Sequence, residues 1–148
     1  MSDYLVAAFY KFTKIEDPAK LQASIEDCCL ENDVRGIVLL ASEGINSTIA
    51  GSPEGVRNVL QFLRDDARFS ELTWKESNAS QAPFRKLRVR LKKEIVTMGV
   101  DGINPDRLVG TYVKPEKWNE LISDPNVIVI DTRNDYEVEI GTFKDAIN

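Results

Sequence analysis

The chain has 148 residues, 43% of them hydrophobic and 29% charged, with a formal net charge of −5. That length suits one domain or two small ones, and the acidic balance gives polyanions no overall attraction. No apolar run approaches the ~18–20 residues of a membrane-spanning helix.

The chain holds no histidine and only two cysteines, the neighbours Cys28 and Cys29. A Cys/His metal site is therefore excluded, and adjacent cysteines cannot cross-link without severe strain. They read as one buried and one partly exposed thiol; nucleophile is the lesser reading, because no histidine is present to activate either. The opening, MSDYLVAAFYKF, lacks the basic-then-apolar order of a secretory signal, so a cytoplasmic location with no membrane partner is expected.

In chain order, YLVAAFYKF (4–12) reads as a buried strand. DPAKLQASIEDCCLEND then reads as a helix with Asp17 as cap and Pro18 in its first turn, Leu21, Ile25 and Cys28 giving it one apolar face. RGIVLLAS (35–42) and STIAG (47–51) are strands, with EGIN (43–46) expected to make the turn between them. SPEGVRNVLQFLRDD repeats the helix-start pattern, with Ser52 as cap, and Val56, Val59, Leu60 and Leu63 stand at i, i+3, i+4 and i+7. ELTWKES (71–77) and KLRVRLKKEIV (86–96) alternate and read as strands. The order β-α-β-β-α-β, with one strand extra, is the split β-α-β or ferredoxin-like plan: an α+β fold whose two helices cover one face of an antiparallel sheet.

Beyond residue 94 the periodicity fades and Gly and Pro gather, so the expected organisation is a domain over 1–94, a linker over 95–112 and a further element set over 113–148. KPEKWNELISDP (114–125) reads as a short helix and NVIVID (126–131) as a strand with no alternation, the pattern of a parallel sheet covered on both faces. So short a piece seldom holds together alone. It is expected to be the start of an α/β domain whose remainder is missing, and to be disordered or loosely docked.

Two clusters carry candidate chemistry. FRKLRVRLKKE places six cations within residues 85–93. Lys86, Arg88, Arg90 and Lys92 alternate and so share one face of a strand, a row about 20 Å long at ~3.4 Å per residue. It reads either as an ordinary solvated sheet face or as a contact for RNA phosphates, with Trp74 on the neighbouring strand as a base-stacking ring or as core. In SEGINS, Glu43 and Asn46 could read a base edge, steady a partner domain, or satisfy their own turn. An acylphosphatase-type anion site needs an arginine in the loop after the first strand; KFTKIEDP has Lys11 and Lys14 but no arginine.

The tail resembles the entry to a rhodanese domain through Asp131, Arg133, Tyr136, Glu137, Gly141, Ala146 and Asn148. Thr142 stands where that family usually has His. With LLASEGINSTIAGSPEGV, WKES and APFRKLRVRLKKEIVTMG, nearly the whole chain resembles the UPF0176 family of rhodanese-containing tRNA uridine hydroxylases. The resemblance implies an acylphosphatase-like N-terminal domain, tRNA as partner, and installation of 5-hydroxyuridine at the wobble position. It also implies molecular oxygen as co-substrate, with no other cofactor evident. The reactive cysteine of that family would lie beyond Asn148, leaving Asp131, Arg133 and Glu137 as support for its loop and this chain inactive alone. Sulfur transfer by the parent, or a non-enzymatic RNA- or protein-binding module, are the alternatives. Which tRNAs bind and the oligomeric state are not legible.

Overall fold

The computed structural model of the chain describes residues 4–96 and 110–148. The chain divides into two compact units, Met1–Leu108 and Val109–Asn148.

In the first unit β1 (Tyr4–Phe12), α1 (Pro18–Glu31), β2 (Arg35–Ala41), β3 (Gly44–Gly51), α2 (Pro53–Asp65), β4 (Lys75–Ala79) and β5 (Leu87–Leu91) follow in order. Both helices start where the cap chemistry dictates. The Asp17 carboxylate accepts from the Lys20 amide at 3.0 Å and the Ser52 hydroxyl from the Gly55 amide at 3.0 Å, each satisfying one donor that a first helical turn leaves open. On α2 the apolar stripe is buried as its spacing requires. On α1 the buried stripe is Leu21, Ile25 and Cys29 rather than Cys28, because the buried row follows i, i+4 and i+8 along a helix lying obliquely on the sheet.

The strands form one sheet in the order β4-β1-β3-β2-β5. The three antiparallel pairings of the ferredoxin-like plan hold, but the extra strand is not antiparallel: β5 runs parallel to β2. Chain connection explains this. β4 ends with Ala79 beside Tyr4, and β5 begins with Leu87 beside Gly36, both at the end of the sheet where β1 and β2 begin. Residues 80–86 cross four strand spacings, ~19 Å, with a reach of at most about 24 Å. They run nearly straight along that end, where Pro83 and Phe84 lie beside Tyr4, Arg35 and Ala50.

The β2–β3 connection also differs from expectation. The turn is Ser42 and Glu43, and β3 already begins at Gly44, paired with Ala41. Asn46 is thus a mid-strand residue, opposite Leu39 on one side and Tyr10 on the other. Gly44 does adopt φ +151°, but it does so to lie against β1, where an added Cβ would stand 2.1 Å from the Lys11 carbonyl oxygen. β4 begins four residues later than expected, since a 3-10 turn over Ala67–Phe69 and Leu72 drop into the core first.

Helices α1 and α2 cover one sheet face, burying Leu5, Phe9, Val38, Leu40, Ile45 and Ile49. Of the apolar residues that alternate with the β5 cations, Val89 is buried but Leu91 is 46% exposed. The α1 residue Gln22 reaches only as far as the Val89 carbonyl, donating to it at 2.7 Å. Among the described residues of the first unit no helix lies on the opposite face of the sheet.

The second unit carries α3 (Pro115–Ile122) and a single turn, α4 (Asp135–Val138). The apolar run 127–130 forms no strand. It makes one parallel bridge, Ile130 to Ile147, closed by the Asp131 amide on the Ile147 carbonyl at 2.7 Å and the Ile147 amide on the Val129 carbonyl at 2.9 Å. A buried strand needs partners on both edges and cover on both faces, and Ile128 and Ile130 remain 72% and 67% exposed. Among the described residues no helix is long and apolar enough to cross a membrane.

Candidate nucleic-acid interface

Side chains alternate across a strand, so burial of Val89 sends Arg88 and Arg90 to the open face of the sheet. Arg88 stands beside Ile37 and Arg90 beside Leu39. Lys86 and Lys92 flank the strand and extend its ladder: the Gly36 amide donates to the Lys86 carbonyl at 3.3 Å, and the Lys92 amide to the Leu40 carbonyl at 2.7 Å. By the same alternation they belong to the same row. All four are exposed, and none forms an ion pair among the described residues. An edge strand of this kind carries cations in part to discourage pairing with other chains, and the same row presents uncompensated positive charge in a chain of net charge −5.

Glu43 and Asn46 have a joint role that their sequence neighbourhood did not disclose. The Glu43 carboxylate accepts from the Ile95 amide at 2.6 Å, and the Asn46 side-chain amide donates to the Ile95 carbonyl at 3.2 Å. Together they grip both backbone groups of the residue that follows the cationic strand, fixing the direction in which the chain leaves the sheet. Ile95 itself is buried. The expected linker continues into residues 97–109, which lie outside the described residues.

Trp74 sits against the core rather than bare on the sheet. The Arg64 guanidinium covers its ring at 4.1 Å, its indole N–H donates to Glu76 at 2.8 Å, and Arg64 also donates to the Leu72 carbonyl at 2.8 Å and 3.1 Å.

The β1–α1 loop offers no anion cradle. The Thr13 and Ile15 amides donate at 2.9 Å to the Glu43 and Ser42 carbonyls, so the N–H groups that would face an anion are spent on the hairpin, and Lys14 pairs with Glu16 at 3.3 Å. The cysteines are equally unreactive. Burial pushes the Cys29 thiol up to about 12, with Cys28 and Glu26 adding to it, and burial with the nearby Glu31 raises Cys28 as well. Neither is a thiolate at neutral pH.

In the second unit Asp131 and Arg133 meet as a forked pair. Arg133 Nη2 lies 2.6 Å from Asp131 Oδ2 and Nε 2.9 Å from Oδ1. The Thr142 hydroxyl donates to the same carboxylate at 2.7 Å, and Arg133 reaches the Gly141 carbonyl at 2.7 Å. The guanidinium, then the hydroxyl, hold the Asp131 carboxyl well below the usual carboxylate range. Glu137 does not join the pair. It accepts from the Asn134 amide at 3.1 Å and side chain at 2.8 Å, a capping box for α4.

The open face also gathers residues that sequence reasoning missed. Register brings Lys75, Ala8, Thr48, Ile37 and Arg88 into one row across all five strands. Tyr10 stands in the next row, 53% exposed. The alternation of β1 was the available signal for Tyr10; nothing local marks Thr48 or Lys75.

Comparison with known proteins places this geometry. Residues 4–95 match the family model described as UPF0176 acylphosphatase like domain. The tRNA uridine(34) hydroxylase of Albidiferax ferrireducens is 60% identical over 148 residues, all of this chain and 46% of that protein. The proteins of the same name from Acaryochloris marina and Teredinibacter turnerae are 57% and 55% identical, with 48% and 46% of their lengths covered. The chain thus spans about half the length of the curated relatives it matches. Among solved structures, the dark-state BLUF protein BlrB superposes with a TM-score of 0.51 at 20% identity, over 64% of this chain and 78% of that one, a likeness of fold.

Proposed function

The chain belongs to the UPF0176 acylphosphatase-like domain family, and on that premise we propose that it is the N-terminal part of a cytoplasmic tRNA-modifying enzyme that hydroxylates the wobble uridine to 5-hydroxyuridine. The observation that carries this reading is identity of 55–60% along the entire chain with proteins named tRNA uridine(34) hydroxylase. Molecular oxygen is the proposed co-substrate. Within the enzyme this part contacts tRNA through the open face, where Lys86, Arg88, Arg90 and Lys92 meet phosphates, while Glu43 and Asn46 orient the chain leaving that face. Chemistry belongs to a cysteine elsewhere in the parent, since Cys28 and Cys29 are held as thiols. Residues 113–148 enter a rhodanese-like domain, and the Asp131–Arg133–Thr142 cluster braces the loop that carries that cysteine.

Mass spectrometry of tRNA from a strain lacking the parent gene tests this reading. 5-Hydroxyuridine at position 34 should vanish and return with the full-length gene, carrying label from isotopic oxygen gas. The full-length gene with Arg88→Ala and Arg90→Ala should restore only a minor fraction. Retention of 5-hydroxyuridine in the deletion strain, or loss of a thiolated base in its place, would contradict it.

A further inference from the structure

Six cations lie within residues 85–93, but only four of them are in phase. Alternation sets Lys86, Arg88, Arg90 and Lys92 on the open face of the sheet, while Arg85 and Lys93 stand one residue beyond the row at either end and out of phase with it. The strand that carries the row is held along both edges. On its inner side the Gly36 amide donates to the Lys86 carbonyl at 3.3 Å, and the Lys92 amide donates to the Leu40 carbonyl at 2.7 Å. Val89, out of phase with these, turns its carbonyl outward, where the Gln22 side chain of α1 donates to it at 2.7 Å. A row fixed in this way needs little ordering when a ligand arrives.

We propose that the row takes consecutive phosphates of a single RNA strand laid lengthwise along β5, one phosphate to each cation, a footprint of about five nucleotides at the strand repeat of ~3.4 Å per residue. The proposal rests on the RNA reading given above and assigns the strandedness, path and length of what is bound. Spacing carries it. Two residues of an extended polypeptide and one nucleotide of an extended strand each add about six backbone bonds, so alternate cations, ~6.8 Å apart, and consecutive phosphates repeat at like intervals. A double helix lacks this repeat. Each of its strands advances only ~3.4 Å per nucleotide along the axis and winds away around it, whereas the row runs on for ~20 Å.

Charge and position leave the row open to such a strand. Its neighbours on β2 are Ile37 beside Arg88 and Leu39 beside Arg90, neither able to compete with a phosphate. Among the described residues no ion pair engages any of the four cations. β5 is also the last strand of its sheet, so no further strand stands outside the row.

The test measures how salt weakens the binding of labelled oligouridylates, from about two to eight nucleotides long, to the full chain. Each added phosphate should steepen the log–log slope by ~0.7 up to about five nucleotides, where it reaches about −3 and then stays constant as the strand lengthens. Arg88→Ala with Arg90→Ala should lower that plateau by about 1.4. Arg85→Ala with Lys93→Ala removes the same charge and should leave it unchanged. An RNA duplex of the same length should bind more weakly than the single strand.

A slope that keeps steepening past about five nucleotides would overturn the lengthwise row and leave the RNA contact standing. So would equal losses from the two double variants, or a duplex that binds as tightly as the single strand. Failure of every oligouridylate to bind would overturn the row and the RNA reading together, leaving the cations as guards of a sheet edge.

Discussion

Gly36→Ala should cost the chain about 3 kcal/mol of stability or more, with little soluble protein recovered. Gly36 lies at φ +147°, where L-residues are strained, and a Cβ there would stand 2.2 Å from the Thr48 carbonyl oxygen and 2.8 Å from the Ile49 Cα. Both neighbours are backbone of β3, a strand paired on both sides, with β1 and with β2. They cannot move without breaking two ladders. Strain at such a position contributes ~1–3 kcal/mol, and the displaced backbone adds lost hydrogen bonds at ~1 kcal/mol each. Chemical denaturation should show this against Gly51→Ala, whose nearest new neighbour is a Val34 methyl at 3.1 Å and which should cost under ~1 kcal/mol. A Gly36→Ala chain as stable as Gly51→Ala would mean that β2 and β3 are not in the register described.

Phe69→Ala should destabilise by about 3–5 kcal/mol. The side chain is fully buried and is delivered by the 3-10 turn, which Asp66 caps by accepting from the Arg68 amide at 2.9 Å. Removing the ring leaves a cavity in the core cluster beside α2. Phe62→Ala, at a position 37% exposed on the preceding helix, should cost less than ~1 kcal/mol. Equal effects at the two sites, read from denaturant midpoints, would contradict the packing.

These two positions also mark how much the sequence discloses. The α2 stripe was legible because cap, proline and apolar spacing agree locally. So was the alternation that sets Arg88 and Arg90 apart from Val89. The turn over 67–69 was not, since a three-residue helix has too little periodicity to register. Gly44 misled for a physical reason: its unusual φ serves close approach to β1, not the turn, and only the cross-strand neighbour Lys11 reveals that. The Glu43–Ile95 bond was invisible because it joins residues distant in the chain. Asp131 and Arg133 entered the sequence reading only through the family resemblance, and Thr142 joins them only through the fold.

The central claim is that the open face of this sheet meets RNA phosphates through the β5 cations, and the salt dependence of binding tests it most directly. With about four phosphate contacts, the affinity of the chain for a single-stranded RNA should fall with a log–log slope near −3, at ~0.7 per contact. Arg88→Ala with Arg90→Ala should flatten that slope by about 1.4. A slope unchanged by the double substitution would contradict the account.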